Sequence, residues 1–183
     1  MSGAYIQARM DHAISSQPRK VLKAPDRPIA IRENYITDSR TLLTLRPQGD
    51  AQSVAAYKVQ DENGVTQFAA SATGAPRLAP FGNLVFTFAN VAVTDVKGSV
   101  DDNRVTLEVE RHGRVLESFD IVDGERKVAE VHESVQHNPK LALTPNTRRN
   151  YRHVLDIIVT PGVDLSLVTA IAIIVSDIVF GSE

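Results

Sequence analysis

The stretch Thr160-Pro161-Gly162-Val163-Asp164-Leu165-Ser166-Leu167-Val168-Thr169-Ala170-Ile171-Ala172-Ile173-Ile174-Val175-Ser176-Asp177-Ile178-Val179-Phe180 decides the fold. Pro161 and Gly162 break the preceding element, and Asp164 is a natural helix N-cap whose carboxylate is placed to accept the orphan amides of the first turn. Between Asp164 and Asp177 stand twelve residues without a charge, with only Ser166, Thr169 and Ser176 as polar interruptions. A helix this apolar on every side must be enclosed, by protein or by lipid. Length separates the two. Twelve residues rise about 18 Å, whereas a hydrocarbon core of about 30 Å takes about 20 apolar residues. Extension to Phe180 would carry Asp177 into the bilayer at a cost of a few kcal/mol. The segment therefore reads as a core helix, not a span. A continuous buried strand would suit the β-branched content but not the length.

What encloses such a helix must come from upstream, where the texture is short strands with turn punctuation. Arg104–Glu110 alternates most cleanly, with Val105, Leu107 and Val109 on one face and Thr106, Glu108 and Glu110 on the other. Thr41–Arg46, Ala55–Gln60, Val65–Ser71, Leu84–Phe88, Val91–Asp95, Val115–Val122, Lys127–His132 and Tyr151–Thr160 are further candidates. Asp61-Glu62-Asn63-Gly64 and Asp123-Gly124 carry hairpin chemistry, because Asn and Gly tolerate the backbone that tight turns need. Some nine or ten strands with no amphipathic helix between them exclude a βαβ sheet and leave a barrel or sandwich. Residues 1–26 have few apolar positions and linker-like prolines, and read as a disordered or loosely structured tail. Residues 27–183 then form a single domain.

Bulk composition narrows the function. Twenty basic and 22 acidic residues give a net charge of −2, which removes the electrostatic case for nucleic acid as a partner. The absence of cysteine excludes disulfides, thiolate nucleophiles and cysteine-ligated metals. No apolar signal run opens the chain, so the expected location is cytoplasmic.

The tail YRHVLDIIVTPGVDLSLVTAIAIIVSDIVF (151–180) resembles the C-terminal signature of the LURP-one-related family, with Asp164 and Asp177 at its acidic positions. The hairpins YKVQDENGVTQF (57–68) and FDIVDGERKVAEV (119–131) are similar to the family in texture. The resemblance implies a mainly β, tubby C-terminal-like fold: a closed antiparallel barrel around a central hydrophobic C-terminal helix. It also implies a non-enzymatic binding or scaffold domain that recognises anionic lipid head groups such as phosphoinositides, or a protein partner, from the membrane periphery. Two alternatives stand beside it. One is a membrane-anchored protein of phospholipid-scramblase type that uses the apolar segment, and the other a small-molecule enzyme with a pocket at a barrel end.

Arg148, Arg149 and Arg152 form the densest basic group, and guanidinium forks suit phosphate oxygens. They are the candidate head-group ligands, weighed against ordinary solvated surface. His153 shares the apolar phase of its strand and reads as a core histidine. His132 and His137 with Glu130 and Glu133 lack metal-ligand spacing, and Asp61–Gly64 lacks the twelfth-position acid of a calcium loop. Asp101-Asp102-Asn103 reads as a hairpin tip. No nucleophile elbow or glycine-rich phosphate loop occurs, so neither a catalytic residue nor a cofactor is expected.

Overall fold

A computed structural model describes residues 20–48, 56–71, 84–93, 103–112, 118–138 and 153–180. Eight strands form one antiparallel sheet: β1 (Thr41–Gln48), β2 (Ala56–Asp61), β3 (Thr66–Ser71), β4 (Leu84–Ala89), β5 (Arg104–His112), β6 (Ser118–Asp123), β7 (Arg126–Glu133) and β8 (Leu155–Val159). One long helix among the described residues, α1 (Leu165–Phe180), follows. The spatial order is β3-β2-β1-β8-β7-β6-β5-β4, so β8 returns to lie between β1 and β7 and ties two meanders together. Val91–Val93 lies in a turn and not in a strand, because Asn90 Oδ1 takes the Ala92 amide at 3.2 Å. The last strand is shorter than its sequence pattern: His153 and Val154 lie outside it, and Tyr151 lies outside the described residues.

The alternation seen in β5 repeats around the sheet. Leu43, Leu45, Tyr57, Val59, Val105, Leu107, Val109, Phe119, Ile121, Ala129, Val131, Leu155, Ile157 and Val159 all face inward and are buried. They join Leu167, Val168, Ile171, Ala172, Ile173 and Val175 of α1 in one core cluster, with Phe68, Ala70, Leu84, Phe86 and Phe88 of the two outer strands packed against it. Eight strands about 4.8 Å apart would span about 34 Å if flat, and a helix is only about 10–12 Å across. All eight strands reach the cluster that contains α1, so the sheet curls around it. Among the described residues no hydrogen-bonded pairing joins β3 to β4. The expected closed ring of hydrogen bonds is therefore absent from this part of the chain, and the sheet has two edges.

Asp164 seats the helix. Its Oδ1 accepts the amides of Ser166 (2.7 Å) and Leu167 (3.2 Å) and the Ser166 hydroxyl (2.6 Å). Its Oδ2 accepts the amides of Ile31 (3.1 Å) and Arg32 (2.8 Å), which holds the chain before β1 against the start of α1. Gly162 enters this junction at φ +83°, a left-handed conformation that a side chain would strain. Hairpin β6–β7 turns on Gly124 at φ +55° with no positive φ at Glu125, the pattern of a II′ turn.

Residues 20–23 lie beside the end of β7. Leu22 bridges Lys127 in parallel, and the Lys23 amide donates to Lys127 O at 2.9 Å. Lys127 accepts this strap because a bulge opposite Ile121/Val122 interrupts the β6–β7 register there, while β8 has already ended at the Ala129↔Val159 pair.

Candidate functional site

Three polar assemblies sit on the sheet, and two of them are satisfied internally. On the outer face Glu110, Asp120 and Glu130 lie in a cross-strand row on β5, β6 and β7. Each has a basic neighbour. Lys20 Nζ reaches Glu110 at 2.9 Å, His112 Nε2 meets Asp120 at 2.9 Å, and Lys127 Nζ reaches Glu130 at 2.8 Å and Asp120 at 3.4 Å. The hydrogen bond to Glu110 raises Lys20 above its ordinary value of 10.5, with nearby carboxylates adding to the rise and partial burial opposing it. Opposed charges account for this row, and it has the character of a structural network.

The second assembly closes the far end of β7 and β8. Asn138 Nδ2 donates to Ser134 O and Val154 O at 2.8 Å each, and Asn138 Oδ1 accepts the Val154 amide at 2.9 Å. One buried amide side chain thus fixes both ends of the segment 139–152. On the inner face His153 Nδ1 lies 3.5 Å from Glu133 Oε2, both groups buried. His153 is a core histidine, as its phase in the sequence predicts. His132 and His137 do not meet at a shared centre: His132 Nδ1 faces Glu133 O, and His137 Nδ1 faces Ser134 Oγ. No group of three metal-ligating side chains is assembled among the described residues.

The third assembly is open. A groove of about 320 Å³ runs over the outer face of β2, β1 and β8, lined by Thr44, Arg46, Gln60, Asp156 and the turns carrying Asp61 and His137. Register builds it: Gln60 pairs with Thr44, and Thr44 with Asp156, so the three stand side by side with Thr44 Oγ1 donating to Asp156 Oδ1 at 3.3 Å. Arg46, two residues along β1 and so on the same face, lies directly opposite Lys58. These two cations repel one another, and among the described residues no carboxylate pairs with either. Arg46 Nε is enclosed and has no hydrogen-bond partner. By contrast Asp61, on the same wall, is occupied by its own turn, accepting from Asn63 N, Val65 N and Gln67 Nε2 at 2.9 Å each.

Arg148, Arg149 and Arg152 lie outside the described residues. Sequence reading missed Arg46, Lys58, Thr44 and Asp156. The alternation of TLLTLR, AYKVQ and LDIIV puts each on the outer face, but no local signal says that β1 lies between β2 and β8.

No helix among the described residues is long and apolar enough to cross a membrane. No curated protein and no solved structure shows a significant match to the chain. The model of the LURP-one-related family, however, matches residues 32–177, from the segment held by the Asp164 carboxylate to the last turn of the C-terminal helix. With that match covering well over half its length, the chain belongs to the LURP-one-related family.

Proposed function

We propose that this LURP-one-related chain is a non-catalytic binding domain, cytoplasmic and peripheral to membranes, that docks on an anionic lipid head group. The observation that carries this reading is the Arg46–Lys58 pair, two adjacent cations beside a groove with no counter-ion among the described residues. An uncompensated cation pair weakens the sheet unless an anion completes it. Arg148, Arg149 and Arg152, the densest basic group in the sequence, are the further candidates for head-group contact. With a net charge of −2 for the whole chain, attraction to an anionic surface has to come from such a local patch. The curled sheet, packed around α1, serves as the rigid support.

Membrane insertion of α1 is the weaker alternative, because Leu167, Val168, Ile171, Ala172, Ile173 and Val175 are packed in the core that the strands form. The test is vesicle flotation with phosphatidylcholine alone and with an added phosphoinositide or phosphatidylserine. Binding should require the anionic lipid, fall with added salt, and drop when Arg148, Arg149 and Arg152 become alanine. Equal recovery with neutral vesicles, or no binding to any anionic vesicle, contradicts the reading.

A further inference from the structure

The groove is not uniformly basic, and its two ends differ in a way that bears on ligand class. At one end stands Arg46, its Nε enclosed and without a hydrogen-bond partner, with Lys58 opposite it on β2 just outside the lining. At the other is the half-buried Asp156 carboxylate, to which Thr44 Oγ1 is the one donor among the described residues. No ion pair links Arg46 to Asp156, although their strands are neighbours. The register sets them on a diagonal, Arg46 lying two residues beyond the Thr44↔Asp156 pair, a spacing of about 7–8 Å between backbones. A cation and an anion on one face, both partly enclosed and held apart, present complementary charges to a ligand that spans them.

We propose that the groove binds a small zwitterion, with a phosphate or carboxylate against Arg46 and Lys58 and a protonated amine against Asp156. The chemical class is an amino-phosphate, of phosphoethanolamine type as a free molecule or of phosphoserine type as the head group of an anionic lipid. This rests on the binding reading above but narrows it, since a polyanion such as an inositol polyphosphate would meet Asp156 and Glu62 with like charge. Thr44, between Arg46 and Asp156, supplies a neutral hydroxyl for the linking atoms, while Gln60 Nε2 is held by Gly64 O at 2.8 Å. Asp61 takes no part, its oxygens being held by the β2–β3 turn.

The experiment is a titration of the full chain, by calorimetry and by amide chemical shifts, with O-phosphoethanolamine, inorganic phosphate and ethanolamine in turn. The zwitterion should bind at least about tenfold more tightly than either fragment, as expected when two charge-assisted contacts act together. Shifts should centre on Thr44, Arg46, Gln60 and Asp156. Arg46→Gln should weaken phosphoethanolamine and phosphate alike. Asp156→Asn should weaken phosphoethanolamine while leaving phosphate unchanged or tighter. Arg46→Lys, which keeps the charge, guards against a folding defect and should retain partial binding. Phosphate binding as tightly as phosphoethanolamine, no binding of any of the three, or shifts confined to residues outside the groove would overturn the proposal. Parallel flotation separates the two readings. Zwitterion binding without vesicle binding leaves the groove assignment standing and removes the membrane. Vesicle binding unaffected by Arg46→Gln and Asp156→Asn does the reverse.

Discussion

Asp164 Oδ2 accepts the backbone amide of Arg32 at 2.8 Å across 132 residues of sequence, while Oδ1 of the same carboxylate caps the first turn of α1. One buried side chain therefore both starts the helix and fastens it to the strand system that surrounds it. Its neighbours reinforce the joint: the Ile29 amide donates to Gly162 O and the Asp164 amide to Ile29 O, both at 2.9 Å.

Replacing Asp164 by alanine should be among the most damaging single changes in the chain. It removes an N-cap worth about 1 kcal/mol and leaves the amides of Ile31 and Arg32 without their charged acceptor. The expected loss is about 3–5 kcal/mol. Asp164→Asn, which keeps an acceptor on one side only, should fall between alanine and the native chain. Urea unfolding of the three proteins measures this, and an alanine variant within about 1 kcal/mol of native would contradict the anchoring role.

The buried helix makes a second claim. Ile173 is 8% exposed among apolar neighbours, so Ile173→Asp should prevent folding, an unpaired charge having no partner there. The milder Ile171→Ala, at a position 1% exposed, should cost about 2–5 kcal/mol and still melt cooperatively. Thermal melts of both variants decide it, and a cooperatively melting Ile173→Asp protein would speak against enclosure.

Cross-strand repulsion yields a third prediction of unusual sign. Lys58→Glu should place a carboxylate opposite Arg46 and stabilise the sheet by about 0.2–1 kcal/mol while abolishing anion binding at the groove. Denaturation and ligand titration on the same variant test both halves. A destabilised variant that still binds phosphate would refute the reading of the pair.

Lys20 provides a fourth, through pH. Its folded value is raised above 10.5, so the stabilisation it gives is complete below the unfolded value and is lost as pH rises through the folded one. Lys20→Met should accordingly lower stability at neutral pH, and the difference from native should shrink as pH rises through the raised folded value. A difference that stays constant across that range would mean that the ion pair with Glu110 is not its source.

How much of this could be read from sequence follows from how local each interaction is. The Asp164 cap spans two or three residues and is visible in the string Asp-Leu-Ser-Leu, and the alternation of β5 is equally self-contained. The bonds from Asp164 to Ile31 and Arg32 leave no trace in any short window. Val91–Val93 misleads because its alternation copies a strand, while the Asn90 side chain commits the backbone to a turn. The groove was hidden for a topological reason: Thr44 and Asp156 are 112 residues apart, and only the insertion of β8 beside β1 makes them neighbours. The arginines at 148, 149 and 152 were conspicuous because they cluster in sequence, whereas Arg46 and Lys58 cluster only across strands.

The most direct test of enclosure is hydrogen exchange of the Val168–Val175 amides in buffer free of lipid and detergent. If the sheet surrounds α1, these amides exchange only through global unfolding, with protection matching the unfolding free energy and unchanged by vesicles. Rapid exchange in buffer, with protection gained only when vesicles are added, would show that the helix depends on the bilayer and not on its own strands.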